Sequence, residues 1–402
     1  MMSLGALPLG RRPTRRPMSQ KTCLSCCGIA PRISGDGCVY FGCKKNGLLP
    51  HVAEADRFFT GGFIVRKWQI FGESIAPGEA RRMTLRVPVG ALENRGEVAP
   101  GKRTGTDYEM PAILINGARP GKTLLVTAGM HAGEFNGTPA AIRVARALEP
   151  SGMTGRVICI PCVNTSGFWT MHPRVTPEDG FNFNSGYPGK PDGTVGERVA
   201  DFFVREIFPQ VDFILDLHGG SRGERMTPLA FFPAQPKVRE ASLAAARAMN
   251  LGLLIESQAT RGQYSFAASR LDIPGLLVER GEGYFCDADL VEANRKDILL
   301  LLGHLGIRPV APGMRDDALK RRVFREAIYL NSEWDGLWYP AVEKNAPVRE
   351  GQLLGTIEDF YGNPIAEIRA QWNGLVLYVY TGLAAPKDEF LIAYAVADSE
   401  EI

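Results

Sequence analysis

An excess of charge of one sign is missing from this 402-residue sequence: 46 Lys and Arg stand against 44 Asp and Glu, a formal net charge of +2. So even a balance gives no electrostatic reason to bind nucleic acid or an anionic membrane surface, and neither partner is expected. Long hydrophobic runs are missing too. Ile298 to Leu302, for example, lies in an amphipathic helical pattern and falls far short of the ~20 apolar residues that cross a bilayer. No apolar stretch of signal length follows the basic pairs Arg11-Arg12 and Arg15-Arg16, so neither a Sec nor a twin-arginine signal is read. A cytoplasmic location is the expectation. There is no internal repeat, and a serine esterase is not the expectation even though His218-Gly219-Gly220 hints at an oxyanion loop. Histidine is scarce, with five in the whole chain.

Cysteine is present but unevenly placed. Cys23, Cys26, Cys27, Cys38 and Cys43 crowd near the start, and the C-x2-C and C-x4-C spacings of Cys23, Cys26, Cys38 and Cys43 could supply four thiolates to a structural zinc. No His or aromatic framework supports such a knuckle. A leader, or codons upstream of a start at Met18, accounts for the segment as well. Cys159, Cys162 and Cys286 sit in apolar contexts and are expected to be buried and inert.

A chain of this length exceeds what one hydrophobic core usually serves, so a main domain with a smaller companion is expected. Residues 1–60 are rich in Gly, Pro, Arg and Cys and read as leader and linker; 61–118 read as a β segment. From 119 to 310 strand and helix alternate. Strands are expected at Leu124–Val126, Val157–Ile160, Phe213–Leu217, Leu229–Phe232 and Leu276–Val278. Helices fit Thr138–Leu148 (Thr138 as N-cap), Val195–Phe208, Val238–Met249 and Leu290–Leu305. Strands this apolar predict an α/β fold, a mostly parallel or mixed sheet with helices on both faces. Residues 323–402 change to short strands punctuated by Gly, Pro and Asn, a C-terminal all-β domain.

Ligands of open α/β sheets collect at the carboxyl ends of strands. Three such ends carry acid–base or metal-type groups: His131-Ala132-Gly133-Glu134 after Leu124–Thr127, His218 after Phe213–Leu217, and Glu279 after Leu276–Val278. Two imidazoles and one carboxylate leave a fourth position of zinc open, as in catalytic sites. His131, Glu134 and His218 are therefore the expected ligands of one zinc per chain. Water activated there needs a carboxylate that is not a ligand to move its proton, and Glu279 is that base.

On these residues the chain resembles the succinylglutamate desuccinylase/aspartoacylase family of zinc-dependent, carboxypeptidase-like deacylases. His131-x-x-Glu134 with Leu215-Asp216-Leu217-His218 matches the ligand pattern, and Val278-Glu279-x-Gly281 the catalytic glutamate segment. Leu290 to Ile307 resembles the helix that follows, and Gly336-Leu337-Trp338-Tyr339-Pro340 the appended β domain. The resemblance implies a zinc carboxypeptidase-like fold and hydrolysis of a small N-acyl amino acid or N-acyl amine. It also implies that Arg174 supports the carbonyl oxygen as charge develops, and that Asn184-Ser185 touches substrate where the family usually reads Asn-Arg. Serine cannot grip a carboxylate as arginine does. Arg222 and Arg225, just after His218, are the candidates to replace it. His172 is read as a non-ligand. A metallocarboxypeptidase would share the zinc set, a non-catalytic ligand-binding protein need not hold zinc at all, and a homo-oligomer is compatible with everything above.

Overall fold

The computed structural model describes residues 57–60, 63–90, 106–172 and 174–397. The cysteines Cys23, Cys26, Cys27, Cys38 and Cys43 lie outside them. A nine-stranded sheet organises the main domain, in the order Arg322–Phe324, Leu253–Ser257, Leu229–Pro233, Gly275–Glu279, Phe213–His218, Arg119–Ala128, Thr154–Ile160, Asp107–Asn116, Glu79–Pro88. Its centre is parallel: Gly275–Glu279 pairs with Phe213–His218, which pairs with Arg119–Ala128, which pairs with Thr154–Ile160. Leu229–Pro233 runs antiparallel to Gly275–Glu279, and the last two strands are antiparallel additions, so the sheet is mixed. The strands Glu79–Pro88 and Asp107–Asn116 thus extend the main sheet.

Side-chain alternation along the strands explains why helices cover both faces. Leu124, Val126, Ala128, Leu215, Leu217, Leu276 and Val278 share one core. It includes Ala140, Ala141, Val144 and Ala145 of Gly137–Ala147 and the apolar side of Ala288–His304. Their strand neighbours Leu125, Ile214 and Leu277 enter a second core with Val195 and Val199 of Val195–Phe202 and Tyr264, Phe266 and Ala267 of Gln263–Leu271. No helix among the described residues is long and apolar enough to cross a membrane.

Several local expectations are corrected. The helix predicted from Thr138 starts at Gly137 with Asn136 at its N-cap; Thr138 donates to the Pro161 carbonyl at 2.7 Å and does not cap. The helix expected over Val195–Phe208 is α-helical to Phe202 and then widens into a π turn, Phe203–Ile207. Cys159 and Cys162 are buried, and burial pushes both thiols up to about 12, but Cys286 is exposed. Its neighbours Gly283, Tyr284 and Phe285 belong to a surface turn rather than to the core.

After Arg322 the chain forms two small antiparallel sheets. One contains Ala327–Asn331, Phe390–Val396, Gly374–Tyr380 and, from the main domain, Glu224–Met226. The pairing of Glu224–Met226 with Gly374–Tyr380 ties the C-terminal sheet to the loop that follows His218. The other contains Pro364–Arg369, Leu353–Glu358, Gly336–Pro340 and Ala384–Ala385.

A buried ion pair fixes the end of the strand that carries Glu279. Arg280 donates to Asn294 Oδ1 at 2.8 Å and to Asp297 Oδ2 at 2.6 Å, both on Ala288–His304, while Asp297 Oδ1 accepts from the Asn250 amide at 2.7 Å. Arg280 and Asp297 are 3% and 1% exposed, so losing one partner strands the other charge in the interior. Asp297→Ala is expected to cost about 3–5 kcal/mol, the scale for breaking a buried pair. Urea unfolding of the variant measures this directly, and a loss below 1 kcal/mol on the order of a surface pair would refute it.

Candidate metal centre

The strand ends deliver the site. Glu279 and His218 stand opposite each other in the parallel register of their strands, so an acid and an imidazole sit side by side at one edge of the sheet. The strand Arg119–Ala128, on the other side of His218, turns at Gly129, whose φ of 62° an L side chain adopts only with strain. That turn carries His131 and Glu134 back over the sheet edge. Gly219 lets the backbone after His218 approach closely: a Cβ there would meet the Arg280 carbonyl oxygen at 2.8 Å.

His131, Glu134 and His218 are 8%, 7% and 2% exposed, and their donor atoms all lie within 4.8 Å of one another. Among the described residues they are the one group of three or more such side chains so placed. Glu134 bridges the histidines, with Oε1 2.8 Å from His131 Nδ1 and Oε2 2.9 Å from His218 Nδ1. Burial favours the neutral acid, but the charges of His131 and His218 outweigh it and hold Glu134 down to about 2. Burial would likewise lower His218, yet the carboxylates of Asp216 and Glu134 hold it well above the usual histidine range. The cluster is built to hold positive charge.

Each histidine has an acceptor behind it. His131 Nε2 is 3.1 Å from Asn182 Oδ1, and His218 Nε2 is 3.2 Å from Asp216 Oδ2. Asp216 is fully buried and receives Thr127 Oγ1–H at 2.8 Å. With a metal bound, acceptors behind both Nε2 atoms would leave the Nδ1 lone pairs free for it, the second-layer arrangement of metal-bound histidine. His218 Nδ1 is buried, and neither it nor Nε2 is aligned for a hydrogen bond. A divalent cation held by His131, Glu134 and His218 would satisfy these groups, and two nitrogens with one oxygen suit zinc. The residues fit the metal.

The His131–Glu134–His218 cluster opens on a cleft of about 330 Å³ whose lining includes Arg174, Asn184, Glu224 and Glu279. Glu279 Oε2 is buried without a hydrogen-bond partner, and burial, followed by the negative charge of Glu134, pushes its carboxyl well above the usual range. Arg174 donates to Glu224, a buried carboxylate that also accepts from the Ser221 amide at 2.9 Å. Burial raises the Glu224 carboxyl, and Arg174 partly offsets the rise.

The expected substrate residues divide. Asn184 lines the cleft, whereas Ser185 and Arg222 are exposed and outside its lining. His172 is exposed as well. Glu282 is half-buried and paired with Lys344. Asn182, Asp216, Glu224 and the aromatic residues Tyr264, Tyr329, Tyr378 and Phe390 had not been singled out. Asp216 did leave a signal, as the one charge inside an otherwise apolar strand run.

Comparison with known proteins agrees with this geometry. Residues 120–305 match the model of the succinylglutamate desuccinylase/aspartoacylase catalytic domain. Over that segment the chain is similar to this family. It is 29% identical over 263 residues to the N-alpha-acetyl-L-2,4-diaminobutyric acid deacetylase of Halomonas elongata, covering 64% of this chain and 77% of that protein. Similar solved structures include the product-bound ectoine utilization protein EutE (DoeB) from Ruegeria pomeroyi, with a TM-score of 0.70 at 25% identity over 79% of this chain and 95% of that one. A succinylglutamate desuccinylase/aspartoacylase from Rhodobacter sphaeroides gives 0.67 at 25% identity, over 79% and 96%. The mixed sheet with its strand-rich C-terminal region is the family fold.

Proposed function

We propose that this protein is a zinc-dependent hydrolase that cleaves the amide bond of a small N-acyl amino acid or N-acyl amine. The observation that carries the proposal is the buried His131–Glu134–His218 set with Glu279 in register beside His218. His131, Glu134 and His218 would hold one zinc, with Asn182 and Asp216 orienting the imidazoles. A divalent ion so held supplies Lewis acidity toward water and toward a carbonyl oxygen.

The protein's own residues then handle protons and charge. Glu279, kept basic by burial and by neighbouring carboxylates, accepts a proton as water oxygen bonds to the acyl carbon, and returns it to nitrogen as the C–N bond breaks. Arg174, held in place by Glu224, faces the same cleft and can support the oxygen on which charge develops. Similarity to a deacetylase of N-alpha-acetyl-L-2,4-diaminobutyric acid supports an N-acyl diamino acid as a candidate substrate.

The test is release of primary amine by full-length protein carrying one equivalent of zinc. It should cleave at least one of N-α-acetyl-L-2,4-diaminobutyric acid, N-acetyl-L-aspartate and an N-acetylated diamine. Trimming of free C-terminal residues from peptides, with no N-acyl hydrolysis, would replace this reading with a carboxypeptidase.

A further inference from the structure

The far wall of the cleft is not supplied by the metal-bearing domain. Tyr329, Tyr378 and Phe390 come from the C-terminal sheet, and each pair of their ring centroids is 6.2 Å apart at interplanar angles of 35°, 54° and 88°. Tyr329 remains half exposed, so the group presents ring surface to the cleft rather than closing on itself. Rings at such different tilts offer more than one face to a single ligand atom.

Charge in the cleft points the same way. Its lining has three carboxylates, Glu134, Glu224 and Glu279, and one guanidinium, Arg174, which is already engaged by Glu224. Arg222 and Arg225 are exposed and outside the lining. A second carboxylate on the substrate would find no uncommitted cation there. Aromatic faces in a negative field are the chemistry that recognises an ammonium group.

We propose that Tyr329, Tyr378 and Phe390 form a subsite for an ammonium group on the amine half of the substrate, so that the C-terminal sheet sets the preference for cationic N-acyl compounds. This rests on the hydrolase reading and adds to it which part of the fold selects and what charge it selects.

The experiment compares N-α-acetyl-L-2,4-diaminobutyrate with N-acetyl-L-norvaline, in which a methyl group replaces the ammonium, using the full-length zinc-loaded protein. The diaminobutyrate derivative should have the higher kcat/KM. Phe390→Leu and Tyr329→Leu should each lower that value by about 3- to 30-fold, mostly through KM, as expected for losing one cation–π face. The norvaline derivative should lose clearly less than the diaminobutyrate derivative under either change, and Phe390→Tyr should keep the wild-type preference. Equal losses on both substrates, or a wild-type preference for norvaline, would overturn the subsite. Calorimetry with free L-2,4-diaminobutyrate and L-norvaline separates the two claims. Selective binding of the diamine without cleavage of any N-acyl compound would keep the subsite and sink the hydrolase reading, and equal binding would remove the subsite whatever the turnover.

Discussion

Replacing Glu279 by Gln is expected to lower kcat by about 10² or more, the usual scale for losing a general base, with zinc content unchanged. The amide keeps the size and hydrogen-bonding reach of the carboxylate and removes only its basicity. Position makes the effect large: Glu279 ends an apolar strand, stands in register with His218, and has a buried Oε2 with no competing partner. It sits beside the metal-binding cluster without belonging to it. Steady-state kinetics with elemental analysis of the same sample checks both halves. An active variant, or one that has lost its metal, would show that Glu279 has another role. Glu282, three residues on and paired with Lys344, is the control: Glu282→Gln should leave the rate near wild type.

Loss of either imidazole should empty the site. His131→Ala and His218→Ala each leave two protein donors, too few for stable zinc at ordinary concentrations, so metal content and activity should collapse together. The residues behind the ligands should matter less but measurably. Asp216→Asn removes the negative charge behind Nε2 of His218 and Asn182→Ala the acceptor behind that of His131, and each is expected to weaken zinc binding by about 10- to 100-fold. Competition with a chelator of known affinity gives the number. Unchanged affinity in Asp216→Asn would mean that the 3.2 Å contact does not orient the ring.

What could be read from the sequence followed from local chemistry. Apolar strand runs such as Phe213–Leu217 announced a sheet covered on both faces, and strand ends carrying His131, Glu134, His218 and Glu279 announced a site. What escaped depends on distant contacts. Leu253–Ser257 and Gln263–Leu271 were not foreseen, because the first is a short strand ending in Glu256 and Ser257 and the second is short for a helix. Thr138 carries a strong capping side chain, but the Pro161 carbonyl of a neighbouring loop takes its hydroxyl. The aromatic wall was invisible for the same reason. Tyr378 and Phe390 look like ordinary strand residues until the pairing of Glu224–Met226 with Gly374–Tyr380 brings their sheet against the cleft. Glu224 itself follows a glycine-rich loop, and nothing local to it marks a partner for Arg174.

The most direct measurement of the central claim is zinc K-edge X-ray absorption on full-length protein loaded with one equivalent of metal. Coordination by His131, Glu134 and His218 predicts only nitrogen and oxygen neighbours, at about 2.0–2.2 Å, with the multiple-scattering signature of two imidazoles. The same spectrum should disappear in His218→Ala. Sulfur neighbours at about 2.3 Å would place the zinc on cysteine thiolates and contradict the account.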